Sequence, residues 1–240
     1  MNTFDYEGIW EDVWGDMQKY GPVHRHHRRI FSGLLKNLPQ SEIRTIADIG
    51  CGEGSNLFFL GTLFPNAKLT GFDISTTALK TARSNTRAEF GILDIQKEVP
   101  PRKFDLVFCS DVVEHLEHDT VAISNMARMT NKYALIATVQ GRMRKNEQAI
   151  GHVRNYEYGE LRQKMEAAGF EITKIIEWGY PFYSPLFRDF ISFFPASEKI
   201  SHGQYNFAQK TIAHLLYFLF LLNRSDKGDV IFVLAKAKSN

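Results

Sequence analysis

The stretch Asp48-Ile49-Gly50-Cys51-Gly52-Glu53-Gly54 constrains this chain more than any other part of it. Three glycines at alternate positions follow Thr45-Ile46-Ala47-Asp48-Ile49, a short apolar run that reads as a buried strand. Residues 55–63 then read as a helix. Glycines at such a junction let the backbone turn sharply and approach a ligand closely. Beyond the junction, strand-like and helix-like segments alternate. Strands are expected at 68–73, 88–93, 104–109, 133–139, 170–178 and 229–237, and helices at 75–85, 120–129 and 158–168. That rhythm predicts an α/β fold with a parallel sheet covered on both faces. A length of 240 residues suits a single domain spanning 1–240.

Ligands of such sheets bind at the carboxyl ends of the strands. The residues found there are Gly50 to Gly54, Asp73, Asp94 and the run Ser110 to His115. A dinucleotide fingerprint wants glycine or alanine where this chain has Ser55, and a phosphate loop wants Gly-Lys-Ser/Thr, which is absent. Carboxylates at Asp48 and Glu53 would repel a pyrophosphate. They suit a cationic nucleoside without phosphate. Asp73, 19 residues past Gly54, has the spacing of a carboxylate that binds ribose hydroxyls. Helix capping is the alternative role for Asp73 and Asp94.

Asp48 to Gly54, Gly71-Phe72-Asp73-Ile74-Ser75, Leu93-Asp94-Ile95 and Phe104-Asp105-Leu106-Val107 followed by Asp111-Val112-Val113-Glu114-His115-Leu116 resemble the successive motifs of class I S-adenosylmethionine (SAM)-dependent methyltransferases. The resemblance covers roughly 45–178 and resumes at the final strand. It implies a Rossmann-like, doubly wound, seven-stranded sheet of order 3-2-1-4-5-7-6 with the last strand antiparallel. It also implies SAM as cofactor. By position, Asp48 and the backbone of Gly50, Cys51 and Gly52 would hold the methionine portion. Asp73 with Ile74 would hold the ribose, and Asp94 with Ile95 the adenine. Ser110 and Asp111 would line the cleft beside the reacting methyl.

A hydroxyl acceptor must lose a proton, which calls for a base. His115, after the fourth strand, and His152, in Gly151-His152-Val153-Arg154, are the catalytic candidates. Loop ordering competes for His152, and capping or core packing for His115. Glu114 is either structural or catalytic. Arg154 would bind an anionic acceptor or pair with a nearby acid; Tyr20 and Tyr180 are further acceptor-side candidates. The Asn/Asp-Pro-Pro-Tyr of amine-methylating enzymes is missing after the fourth strand. No catechol-type metal site is evident, so no metal is expected. An oxygen of a small, partly apolar or glycan- or lipid-linked acceptor is the reading these features favour. An RNA or protein methyltransferase, or a non-catalytic SAM-binding protein, stays open.

Two segments lie outside the alternation. Residues 1–44 read as an N-terminal helical lid, with Trp10, Val13, Trp14 and Met17 at helical spacing. A second helix there, 23–38, carries His24 to Arg29, read as a solvated face. Residues 181–228 read as a helical insertion holding eight of the 19 phenylalanines. Residues 212–222 are apolar nearly all round a helix, leaving a cap, a dimer interface and a peripheral membrane contact as readings. The net charge of +2 gives no footprint for nucleic acid, so no DNA partner is expected. No leader and no transmembrane segment are apparent. Two cysteines without metal spacing fit reduced thiols in a cytoplasmic protein.

Overall fold

The computed structural model describes residues 15–193 and 204–238. The lid residues Trp10, Val13 and Trp14 lie outside that range, as do 194–203 of the insertion. Seven strands form one sheet of order β3-β2-β1-β4-β5-β7-β6. They are β1 Thr45–Ile49, β2 Lys68–Asp73, β3 Glu89–Ile92, β4 Phe104–Ser110, β5 Thr130–Val139, β6 Phe170–Trp178 and β7 Val230–Ala237. The first five pair in parallel; β7 lies between β5 and β6 and is antiparallel to both.

The central strand β4 is buried along its whole length, as its unbroken apolar sequence requires when both faces are covered. Its alternation feeds two cores. Val107 and Cys109 pack with α5 (Asp119–Met129) and α7 (Glu160–Ala167) through Ile123, Met126 and Leu161. Leu106 and Phe108 face Phe31 and Leu34 of α2 (Pro22–Leu35), Leu60 of α3 (Ser55–Leu63) and Phe220 of α9 (Phe207–Phe220). Asp105, at the opposite end of β4 from the cleft, accepts from the backbone N–H groups of Arg44 and Thr45 at 3.0 and 3.1 Å. It thereby fixes the entry of β1.

Helix α2 starts with proline at its first turn, where no N–H bond is lost. It is not a solvated basic face. His26 and His27 are buried, because the helix is pressed between the sheet and α9. The His26 ring stacks on Trp178 at 5.0 Å and on Tyr217 of α9 at 4.5 Å. The short α1 (Gly15–Tyr20) precedes α2, and α4 (Thr76–Asn85) is capped by Ser75, whose hydroxyl accepts from Ala78 N–H at 3.0 Å. Ser75, rather than Asp73, caps that helix.

The insertion contains a π-helical turn at Phe182–Phe187, then α8 (Arg188–Ser192) and α9. Helix α9 buries Ala213 and Phe220 against the protein and exposes Ile212, Leu215 and Phe218. Among the described residues no helix is long and apolar enough to cross a membrane.

Candidate active site

The loop between β1 and α3 turns through three glycines in the left-handed region, Gly50 (φ 69°), Gly52 (φ 52°) and Gly54 (φ 88°). The N–H groups of Gly50 and Cys51 both donate to the carbonyl of Phe72, at 2.7 and 3.0 Å, which stitches the loop to β2. The close approach needs a bare α-carbon at Gly71, where a side chain would strike the Cys51 sulfur at 2.7 Å. Cys51 is buried against Leu57 and Leu79, so only its backbone faces the loop.

Asp73 anchors the loop at the end of β2. One carboxylate oxygen accepts from Gly52 N–H at 2.8 Å and the other from Ser75 N–H at 2.9 Å. These two bonds hold the carboxylate at the mouth of the loop. Asp48 behaves differently. It is buried at the end of β1, and neither of its oxygens has a hydrogen-bond partner. Burial first, and then the charge of Asp73, push its carboxyl well above the usual carboxylate range. A buried, unbonded carboxyl is costly unless a cation or donor meets it. The ammonium and sulfonium of SAM are such groups, so this acidic, phosphate-repelling cradle fits that cofactor.

Ile74 is 47% exposed beside Asp73, an apolar surface next to the loop. Asp94, after β3, accepts from the Gln96 N–H at 3.0 Å and pairs with Lys97 at 2.9 Å. Its carboxylate therefore closes its own turn. Ile95 is buried in the core, and its carbonyl accepts from Asn125 at 2.8 Å.

Asp111 follows β4 with a positive φ of 57°, uncommon for a residue with a side chain. The Ser110 hydroxyl donates to its carboxylate at 2.8 Å, and His27 Nδ1 lies 3.7 Å away. Desolvation opposes its ionisation, but His27, His24 and Ser110 outweigh that and hold its pKa low. His27 was hidden from sequence reasoning inside an apparently solvated basic run.

The segments after β4 and β5 carry the residues expected on the acceptor side. Val113–His115 form a 3₁₀ turn, and α5 starts only at Asp119, so His115 caps no α-helix. The Glu114 carbonyl accepts from Val153 and Arg154 N–H at 3.0 and 3.3 Å, joining the two segments. The His115 and His152 rings meet edge to face at 4.7 Å. Burial lowers both imidazoles, His115 to about 4, where a contribution from His152 adds to it. Both are neutral near pH 7. Arg154 pairs with Asp119 at 2.6 Å and donates to the Glu117 carbonyl at 2.8 Å. Of its two expected roles, the structure shows the pairing.

A network that the sequence did not announce roofs this side. Glu147, on α6 (Lys145–Ala149), accepts from Asn155 at 2.9 Å and from buried Arg188 at 3.0 Å. Arg188 also reaches Asp229 at 3.0 Å, as Arg144 does at 3.3 Å. Tyr158 donates to the other Asp229 oxygen at 2.7 Å. Tyr180 sits under Lys227 at 4.2 Å, and Tyr20 lies against α9 beside Lys210 and His214. The contacts of Tyr20 are thus with the insertion.

Residues 47–135 match a family model described as a methyltransferase domain. A trans-aconitate 2-methyltransferase of Afipia carboxidovorans is 37% identical over 98 residues, 40% of this chain and 38% of that protein. One from Escherichia coli is 29% identical over 105 residues, 43% of this chain and 42% of that protein. The chain thus spans less than half the length of these relatives. Among solved structures, the N-methyltransferase NodS from Bradyrhizobium japonicum with S-adenosylhomocysteine aligns over 100% of both chains at TM-score 0.64 and 16% identity. Magnesium protoporphyrin IX methyltransferase from Synechocystis with bound SAM aligns over 98% of this chain and 93% of that one, at TM-score 0.60 and 16% identity.

Proposed function

From the methyltransferase-domain match over residues 47–135 and the sheet order, we propose that this chain is a class I SAM-dependent methyltransferase that transfers a methyl group to an oxygen of a small, partly apolar acceptor. The observation that carries the cofactor half is the buried, unbonded carboxyl of Asp48 beside Asp73 and the glycine loop. Asp48 and the Gly50–Gly52 backbone hold the amino-acid end. Asp73 receives the ribose hydroxyls, with Ile74 beside them. The turn at Asp94 and Ile95 borders the adenine, and Ser110 and Asp111 stand next to the methyl. When bound, the cofactor supplies an activated methyl on a positively charged sulfur.

In the transfer the acceptor oxygen bonds the methyl carbon as the carbon–sulfur bond breaks, and sulfur keeps the electron pair. The protein's share is positioning and removal of the acceptor proton. Asp111, kept ionised by His27, sets a negative charge at the end of β4 that draws the sulfonium into the cleft. His115 and His152 are the acceptor-side groups, and both present neutral imidazole near pH 7, the form that takes a proton.

The test is calorimetric titration of SAM into the full chain, followed by incubation with labelled SAM and small organic acids, phenols and lipid-linked acceptors. SAM binding with label recovered as methyl ester or ether is the expected result. No heat on SAM addition would remove the cofactor assignment, and label found only on nitrogen would remove the oxygen assignment.

A further inference from the structure

We propose that Glu114, His115 and His152 form a binding site for one divalent cation of the Zn²⁺, Co²⁺ or Mn²⁺ kind, on the acceptor side of the cleft. One donor atom from each of the three lies within 4.8 Å of the others. Ligands at about 2.1 Å from a common ion stand roughly 3–3.5 Å apart, so side-chain shifts of about an ångström close the set. Two imidazoles and one carboxylate leave several coordination positions open, the mark of sites that act on a bound oxygen.

Three further observations point the same way. The Glu114 side chain is 1% exposed, and among the described residues no lysine or arginine pairs with it. A carboxylate so placed lacks the countercharge that a cation would bring. The donors are also braced from behind. Asn155 commits its amide N–H groups to Glu147 and to the Arg142 carbonyl, so its oxygen faces His152 Nδ1 at 3.4 Å. That arrangement puts the proton on Nδ1 and leaves the Nε2 lone pair for a metal, the usual outer-shell device for a ligating histidine. Thr138 donates to Glu114 at 2.8 Å, and a backbone bond to Gly151 holds the His115 ring. Finally, Val153 and Arg154 N–H bonds to the Glu114 carbonyl lock the two ligand-bearing segments together before any ion arrives.

The role assigned to the ion rests on the proposed methyl transfer to oxygen. A cation here would bind the acceptor oxygen and lower the pKa of its hydroxyl, replacing a protein base in that step. No metal is expected from the sequence, because His115 and His152 are 37 positions apart and only the fold joins them.

The test titrates Co²⁺ and, separately, Zn²⁺ into the full chain freed of metal by a chelator. Calorimetry and the visible absorption of Co²⁺ are the readouts. One equivalent of Co²⁺ should bind and develop d–d bands. His152→Ala and Glu114→Gln should weaken binding at least about tenfold and erase the bands, and Asn155→Ala should weaken it about tenfold. His118→Ala, an exposed histidine nearby, should leave it unchanged. Absence of bands in the parent chain, or bands that survive both ligand substitutions, would overturn the proposal. If His152→Ala fails to fold by circular dichroism, Glu114→Gln and Asn155→Ala decide. SAM titrated into the same preparations separates this idea from the cofactor reading. Asp73→Asn should weaken SAM and leave Co²⁺ binding intact.

Discussion

Asp73 carries two backbone bonds that shape the loop, and it is the residue proposed to receive the ribose hydroxyls. Asp73→Ala should therefore weaken SAM binding at least about tenfold, or about 1.4 kcal/mol, by calorimetry. Unchanged affinity would move the ribose elsewhere. His152→Ala should lower kcat by about a hundredfold while shifting the SAM Kd less than about threefold, because the ring lies on the acceptor side of the cleft. Asp119 supports that side through Arg154, Lys164 and the Tyr156 hydroxyl, each 2.6 Å away. Burial opposes its ionisation, yet Lys164, Tyr156 and Arg154 together hold its pKa below the ordinary value. A depressed carboxylate pKa stabilises the fold fully above the unfolded value, about 3.9, and the gain disappears as pH falls through the folded one. Asp119→Asn should thus cost about 2 kcal/mol in urea unfolding at pH 7. The deficit should shrink when the comparison is repeated near pH 3; an equal deficit at both would assign the loss to packing.

At the scale of elements, the strands were readable because their burial pattern is local. Phe170–Trp178 matches its expected bounds, and β4 announces itself as an unbroken apolar run. The acids at Asp48, Asp73 and Asp111 follow from the same reading, since Asp73 ends β2 and the other two sit one step from a strand end. Helix α2 was misread for a physical reason. Its histidines and arginines look polar in sequence, but His26 is enclosed by Trp178 and Tyr217, which stand more than 150 positions away. No local periodicity reports such a partner. The short α6 escaped notice because its five residues give no period, and its glutamate matters only through Arg188. Trp178, 1% exposed between His26 and Tyr183, is the junction of sheet, α2 and insertion. Trp178→Ala should destabilise the chain by about 3–5 kcal/mol, measured by denaturant unfolding. A loss under about 1 kcal/mol would mean that the insertion packs independently of the sheet.

Across the whole molecule, two kinds of work divide along the sheet. The half containing β1, β2 and β3 carries the cofactor cradle, and the matched methyltransferase model falls mostly there and on β4. The half beyond β4 carries the acceptor-side histidines and the roof of Glu147, Arg188 and Asp229. The trans-aconitate 2-methyltransferases match over less than half of this chain, so similarity to them says little about the second half. That second half, to which acceptor choice is assigned in the proposed function, was the part least legible in sequence, because its contacts join residues 114, 152, 188 and 229 rather than neighbours.

The antiparallel β7 comes after every other strand in the chain, yet it is wedged between β5 and β6. During synthesis on the ribosome, β1 to β5 have left the exit tunnel with time to assemble, while β6 has no seat until its neighbour emerges. Asp229, one position before that late strand, clamps Arg188 and Tyr158. The glycine loop and its acids are thus able to form early in the life of the polypeptide, whereas the Glu147–Arg188–Asp229 network closes last.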